Sequence, residues 1–157
     1  MASVSRILLP TGFSELSRRA AEYVKLLLPA LGAELHVVSV VPHAAIVVDP
    51  GIPGAGGLPI AGPAPGEMIA QGRERLAAFV QDVFPNEAGR VHAAVVMGSI
   101  AEELLRYVQE HSIDLIVMGT HADRVLKRVI WGSVGKSVLE GSTCPVLLVP
   151  GRDAPRV

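Results

Sequence analysis

The chain contains a single cysteine, Cys144, among its 157 residues. One thiol cannot form an intramolecular disulfide, so the fold must depend on its core, and a reducing cytoplasm is the favoured location. Cys144 precedes Pro145 in an apolar segment, a context that predicts a buried and unreactive thiol. The sequence therefore predicts a cytoplasmic protein.

An excess of positive charge and a long apolar run are both lacking. The chain has 14 Lys and Arg against 15 Asp and Glu, for a formal net charge of −1, which gives no overall basic field for nucleic acid. No apolar stretch approaches the roughly 20 residues that a membrane-spanning helix needs. The apolar run in the N-terminal segment MASVSRILLPTGF is too short for a secretory signal. We expect neither a nucleic-acid partner nor a membrane partner.

Catalytic and metal-binding patterns are also lacking. The five histidines are scattered without metal-ligand spacing or cysteine partners, at positions 36, 43, 92, 111 and 121. We predict structural roles for His36, His92 and His111, and we predict no metal site and no catalytic residue.

Two glycine-rich segments resemble phosphate-binding loops but are incomplete. The segment GSVGKS lacks the glycine of a P-loop five residues before Gly135, where Ile130 stands instead, and it has no strand directly ahead. The segment GIPGAGG at 51–57 is framed by neither a strand nor a helix. We reject both as nucleotide-binding motifs.

Five short apolar runs alternate with helical patterns. Half of the residues are hydrophobic, and most of the runs are continuously apolar, which is typical of strands covered on both faces. The predicted strands cover 6–10, 33–41, 91–97, 114–119 and 145–150, and the predicted helices begin after Ser14, near 67, after Ser99 and near Ser133. In the third helix the pattern predicts that Ile100, Leu104 and Val108 are buried. Strand-helix alternation of this kind predicts an α/β fold with a parallel sheet.

The predicted organisation is one domain over residues 1–150, followed by a tail at 151–157. Residues 42–66 are rich in Pro and Gly and predict a long irregular loop rather than a second domain. The five strands fit either the order 2-1-3-4-5 or the order 3-2-1-4-5. In both orders a ligand binds beyond the carboxyl ends of the strands, where the strand order reverses.

The segment GTHADRVLKRVIWGS at 119–133 follows the fourth predicted strand and lies at such a reversal in the second order. Gly119 permits a tight turn with outward-facing amides, and Gly132-Ser133 would begin a helix whose free N–H groups favour an anion. Arg124 adds positive charge, and His121 is the one histidine for which we predict a ligand-facing position. The alternative is a solvated surface loop in which Ser133 merely caps the helix.

The chain resembles the universal stress protein family. The resemblance is carried by RILLPTGFSELSRRAAEYV near the start and by DLIVMGTHADRVLKRVIWGSVGKSVLEGSTCPVLLVP near the end, the second being the more specific. ATP-binding members carry G-x2-G-x9-G-[S/T] after the fourth strand. Here Gly119, Gly132 and Ser133 match that pattern, whereas Ala122 replaces its second glycine.

The resemblance implies a three-layer half-Rossmann sandwich of the adenine nucleotide alpha hydrolase-like type, with strand order 3-2-1-4-5. It implies an adenine nucleotide between strands 1 and 4, with the base near Val40 and with Pro10 and Thr11 on the floor. The implied ligand-binding residues are Pro10, Thr11, Gly12, Val40, Met118, Gly119, His121, Ala122, Arg124, Gly132, Ser133, Val134 and Gly135.

This sequence departs from the family pattern at three of these positions. Gly12 stands where members that bind ATP usually have an aspartate for the ribose, and Gly135 stands where many offer another hydroxyl to the phosphates. If position 122 requires a positive φ, Ala122 adds about 1–2 kcal/mol of strain. The phosphate half of the site is thus largely kept, and the ribose half is weakened.

Three functional hypotheses follow from the resemblance. The first is a stress-response module that binds ATP, ADP or AMP without efficient turnover, magnesium entering only with the nucleotide. The second is a stress protein that binds no nucleotide and acts through an unknown protein partner, with at most a residual anion site. A hydrolase or phosphotransferase is the third, and it lacks a visible general base. The resemblance also implies a homodimer formed by the last strand, 145–150, whose apolar edge needs cover.

Overall fold

The computed structural model describes residues 3–43, 47–48, 59–60, 62–123, 128–130 and 132–151. Its helices are α1 (Glu15–Leu31), α2 (Pro65–Val83), α3 (Ile100–Glu110) and α4 (Ser133–Gly141), with a short 3₁₀ turn at Ala88–Arg90. Its strands are β1 (Arg6–Pro10), β2 (Glu34–Val41), β3 (Val47–Val48), β4 (Pro59–Ile60), β5 (Val91–Met97), β6 (Leu115–Asp123), β7 (Arg128–Ile130) and β8 (Val146–Pro150).

The five long strands form a parallel sheet in the order β5-β2-β1-β6-β8. Counted along the chain this is 3-2-1-4-5, so the structure selects one of the two orders that the sequence left open. The short β7 pairs antiparallel with the end of β6. The α/β class and the five predicted strands are confirmed. The fourth strand, predicted at 114–119, is longer than expected, because β6 continues to Asp123 and pairs with β7 in the segment predicted to be a loop.

Both faces of the sheet are covered by helices, which explains the continuously apolar strands. Along β1, Ile7 and Leu9 pack into the core beneath α1 and α2, whereas Leu8 packs into the core beneath α3 and α4. Alternate residues of one strand therefore enter two different cores, and all of them must be apolar. Three layers result, as predicted.

The structure corrects three local expectations. Ile100 was predicted to be buried but is 37 % exposed, because it begins α3 and lies at the rim of a cavity. Helix α2 begins at Pro65 rather than near 67, since proline suits the first turn of a helix. Cys144 is only half-buried, with its Sγ 3.5 Å from the Ser142 hydroxyl.

The predicted loop at 42–66 lies partly outside the described residues. Its described parts include a two-residue antiparallel pair, β3 with β4, and the start of α2. The predicted tail at 151–157 lies outside them beyond Gly151. Within the described parts of the chain, no helix combines the length and the apolar character that crossing a bilayer would require.

Three histidines that are scattered in the sequence come together at the amino-terminal ends of β2 and β5. His36 and His92 are register partners, their rings stack with centroids 4.8 Å apart, and the His111 ring lies 5.7 Å from His36. Burial, and then the neighbouring imidazoles of His92 and His111, lower the pKa of His36 to about 4. His36 is therefore neutral near pH 7. Their scattered positions in the sequence did not predict this grouping.

Candidate functional site

A cavity of about 280 Å³ opens where the chain leaves β1 and β6. These two strands are neighbours in the sheet, and the connections on either side of them run in opposite directions, so the strand order reverses here. The cavity is lined by Pro10, Thr11, Gly12, Ser14, Leu16, Ser17, Val38, Val40, Ile100, Leu104, Met118, Gly119, Thr120, Gly132, Val134, Gly135 and Leu148.

The turn after β1 forms one wall of the cavity. The Phe13 N–H donates to the Thr11 Oγ1 at 3.0 Å, and Phe13 adopts a left-handed φ of 63°. This turn redirects the chain into α1 and leaves Gly12 facing open space, since a Cβ added there would meet no atom within 4 Å. Gly12 thus leaves room where a larger side chain would fit.

Gly119 is required by the close approach of β6 to α1. A Cβ added at Gly119 would lie 2.5 Å from the Leu16 carbonyl oxygen and 2.8 Å from the Leu16 carbonyl carbon. Glycine therefore allows the first turn of α1 to pack directly against β6 at the cavity wall. The tight turn expected at Gly119 is not present, because Gly119 lies within β6 and pairs with Val149.

The amino terminus of α4 forms the opposite wall. Gly132 is its N-cap and supplies no side-chain hydrogen bond, while the first intrahelical bond runs from the Lys136 N–H to the Gly132 carbonyl at 3.0 Å. The amides of Ser133, Val134 and Gly135 precede that bond and have no intrahelical acceptor. Free amides and the helix dipole make this end of the cavity suited to an anion.

Thr120 also lines this cavity, and its hydroxyl is buried without a partner in the described part of the chain. The residue is 7 % exposed, and its Oγ1 has no hydrogen-bond partner among the described residues. A buried hydroxyl without a partner costs about 1–3 kcal/mol. A polar ligand atom in the cavity would remove that cost.

The described lining contains no ionisable side chain. Its polar groups are the hydroxyls of Thr11, Ser14, Ser17 and Thr120 and the free backbone amides, so it offers hydrogen bonds without a general acid, a general base or a carboxylate ligand for a metal. The arrangement suits the binding of a polar, anionic molecule with an apolar part against Val38, Val40 and Leu104.

Nine of the thirteen residues that the sequence singled out line this one cavity: Pro10, Thr11, Gly12, Val40, Met118, Gly119, Gly132, Val134 and Gly135. Ser133 begins α4 beside them without lining the cavity. The backbones of His121 and Ala122 continue β6 past the cavity, and their side chains are not described. Arg124 lies outside the described residues. The ligand-binding roles of these residues stay predictions.

Ala122 does not require the conformation that the family pattern suggested. It pairs with Val129 in the antiparallel extension of β6 and β7, and the described non-glycine residues with positive φ are Phe13 and Ser112. An extended Ala122 carries no left-handed strain. The expected penalty at this position therefore does not arise in this structure.

Several lining residues were missed at the sequence level. Ile100 and Leu104 come from α3, Leu148 comes from β8, and Ser17 comes from the first turn of α1. Topology names only the loops after the strands, and no local pattern distinguishes these positions from ordinary core residues. Predicting these residues would first require knowing how α3 packs across the ends of the strands.

The universal stress protein family model matches residues 3–150. A relative from Methanocaldococcus jannaschii, universal stress protein MJ0531, is 29 % identical over 144 residues, which cover 92 % of this chain and 81 % of that protein.

Two solved structures share the fold. The universal stress protein from Archaeoglobus fulgidus in complex with dAMP superposes with a TM-score of 0.63 at 15 % identity, covering 95 % of this chain and 99 % of that one. A universal stress protein in complex with cAMP superposes with a TM-score of 0.61 at 19 % identity, covering 95 % and 98 %.

Proposed function

Because the chain belongs to the universal stress protein family, we propose that it binds an adenine nucleotide in the cavity between β1 and β6 and does not turn it over efficiently. The observation that carries this proposal is that one cavity is lined both by the free amino terminus of α4 and by Thr120, whose buried hydroxyl has no partner among the described residues. The complexes of two structural neighbours with dAMP and with cAMP add support.

The chemistry of the walls sets the orientation of the nucleotide. Phosphates would accept hydrogen bonds from the amides of Ser133 to Gly135 and from Thr120, at the positive end of the α4 dipole. The base would lie against Val38 and Val40 near the end of β2, with Pro10 and Thr11 beneath it. Magnesium would enter only with the phosphates, because the described lining supplies no carboxylate.

The absence of efficient turnover follows from the same lining. Hydrolysis needs a group that orients or deprotonates water, and no described lining residue titrates near neutral pH. The free amides would stabilise the phosphate charge equally in the bound nucleotide and in the transition state of hydrolysis. Such interactions strengthen nucleotide binding without accelerating hydrolysis. We infer a regulatory role in which nucleotide occupancy is the signal.

A stress protein that binds no nucleotide and acts through an unknown protein partner is the second candidate. Gly12 favours this second candidate, since the described residues of the cavity lining include no carboxylate for ribose hydroxyls. In that case the cavity would retain at most an anion, and ATP, ADP and AMP would all fail to bind.

A homodimer through the last strand remains part of the proposal. Among the described residues, strand β8 pairs only with β6 and forms one edge of the parallel sheet, and Leu147 on it is 37 % exposed. A second copy of the chain on this edge would bury Leu147 and form hydrogen bonds with the unpaired backbone N–H and C=O groups of β8. A cytoplasmic location is likewise an expectation, resting on the single free thiol.

NMR mapping tests where ATP binds. Titration of ATP into ¹⁵N-labelled protein is expected to shift the amides of Thr120 and of 132–135 most, and to leave the opposite end of the sheet around Glu34 and His92 unchanged. Shifts spread over the surface, or confined to the opposite end, would contradict the proposed site.

The Thr120→Val variant tests whether the Thr120 hydroxyl binds ATP, because ATP affinity and stability should change in opposite directions. The variant removes a buried, unpaired hydroxyl, so we expect the free energy of unfolding to rise by about 1 kcal/mol and ATP affinity to fall roughly tenfold. Thr11→Val is the matched control, because the Thr11 hydroxyl already accepts the Phe13 N–H and its loss should lower stability. If Thr120→Val binds ATP as tightly as the parent chain, the hydroxyl does not contact the ligand.

A further inference from the structure

The amino-terminal ends of β2 and β5, at the edge of the sheet opposite the nucleotide cavity, hold a cluster of potential metal ligands. Glu34, His36 and His92 each offer one ligand atom, and these three atoms all lie within 4.8 Å of one another. Glu34 begins β2, His36 follows two residues later, and His92 is the register partner of His36 in β5. Parallel pairing therefore brings together residues that are 58 positions apart at the extremes.

His36 is the anchor of this cluster. The residue is 6 % exposed, its Nδ1 lies 2.9 Å from the Tyr107 hydroxyl, and its buried Nε2 has no hydrogen-bond partner among the described residues. In the tautomer in which Nδ1–H donates to Tyr107, Nε2 carries a free lone pair. A histidine held through one ring nitrogen with the other free is the arrangement found at metal ligands.

The other two ligands are exposed and can move. His92 Nε2 lies 3.8 Å from Glu34 Oε2, and both side chains are more than half exposed. Zn–N bonds of about 2.0–2.1 Å in a tetrahedral site place ligand atoms about 3.4 Å apart. The distance between Glu34 and His92, 3.8 Å, must therefore shorten by about 0.4 Å, and no distance in the cluster, all being within 4.8 Å, must shorten by more than about 1.4 Å. Rotation of the two exposed side chains can provide this contraction.

We propose that Glu34, His36 and His92 form a Zn²⁺ site that fastens the edge strand β5 to β2. Two imidazoles and one carboxylate are donors that suit this cation, and water would complete a tetrahedron from the exposed side. The three ligands come together only when β2 pairs with β5, so zinc would bind the folded chain and not the unfolded chain. Binding of this kind raises the free energy of unfolding. The site involves none of the residues that line the nucleotide cavity, so the two proposals stand or fall separately.

Arg6 is the built-in competitor at this site. Its Nε lies 3.9 Å from Glu34 Oε2, and its guanidinium donates to the His111 carbonyl. When zinc binds, Glu34 must give up its contact with Arg6, while Arg6 can keep its hydrogen bond to the His111 carbonyl. The positive charge of Arg6 therefore limits the affinity for zinc, and removing that charge should increase the affinity.

The direct test is calorimetric titration of ZnCl₂ into the untagged chain after treatment with a chelator. We expect one Zn²⁺ per chain, with affinity roughly 100-fold weaker in His92→Ala and in Glu34→Gln. His43→Ala, which removes an exposed histidine outside the cluster, should bind as the parent does. The ring-nitrogen NMR signals of His36 and His92 should shift on zinc addition, and the melting temperature should rise.

Arg6→Gln should bind zinc roughly five- to tenfold more tightly, because Glu34 no longer needs to be released from a cation. The proposal is overturned if the parent chain binds no zinc below about 100 µM, or if both His92→Ala and Glu34→Gln bind as the parent does. Because both substitutions are at exposed side chains, a circular dichroism spectrum equal to that of the parent checks that each variant is folded.

Discussion

Gly119→Ala is expected to lower the free energy of unfolding by about 3 kcal/mol. The new Cβ would lie 2.5 Å from the Leu16 carbonyl oxygen and 2.8 Å from two other Leu16 atoms, its carbonyl carbon and its Cβ. These atoms belong to or are fixed on the first turn of α1 and cannot rotate away, so the helix must move away from β6. The same movement opens the wall of the nucleotide cavity, so ATP binding should be lost with stability.

Chemical denaturation measures this effect, with Gly12→Ala as the matched control. A Cβ at Gly12 meets no atom within 4 Å, and glycine-to-alanine changes at such sites alter stability by about 0.5 kcal/mol or less. Equal stability of the two variants would show that α1 does not approach β6 as closely as the structure indicates.

Gly12→Asp is expected to strengthen ATP binding about 10- to 100-fold. The open space at Gly12 accommodates the side chain, and the position follows β1 at the cavity wall. There a carboxylate can accept hydrogen bonds from the ribose hydroxyls, and charged hydrogen bonds of this kind contribute about 1.5–3 kcal/mol. Fluorescence or calorimetric titration gives the two dissociation constants.

Two controls make that gain specific. Gly12→Asn has nearly the same shape without the charge and should gain much less. A dideoxy analogue of ATP, which lacks both ribose hydroxyls, should bind Gly12→Asp no better than the parent chain. If Gly12→Asp binds ATP no better than the parent, the ribose does not lie beside position 12, and the orientation proposed here is wrong.

Local patterns predicted the elements well because each strand must serve two cores. The continuously apolar run of β1 predicted a strand covered on both faces, and Ile7 and Leu8 indeed enter opposite cores. The strand order could not be read from composition, since both doubly wound orders use the same alternation of strands and helices. The resemblance to the family favoured 3-2-1-4-5, and the structure confirms it.

The candidate site was predictable where it depends on the ends of strands. Pro10 to Gly12 and Gly119 follow directly from the rule that ligands bind where strand order reverses. Ile100 escaped prediction because helical periodicity marks it as core, whereas its place at the start of α3 brings it to the cavity rim. Periodicity identifies a face of a helix, but it does not say where along that face the core ends.

Two further findings depend on which strands pair and in which register. A strain at Ala122 would arise only with a positive φ, and its pairing with Val129 in an extended strand removes that condition. His36 and His92 looked unrelated until the register of β2 with β5 placed them side by side. The sequence does not specify the register of strand pairing, and the conformation of Ala122 and the contact of His36 with His92 both depend on that register.

Calorimetric titration of ATP into the untagged chain tests the central claim most directly. We expect one saturable site per chain with a dissociation constant between about 10 µM and 1 mM, since the amides of α4 and the Thr120 hydroxyl remain but a ribose carboxylate is absent. No saturable binding of ATP, ADP or AMP below about 1 mM would contradict the account and favour the protein-partner hypothesis.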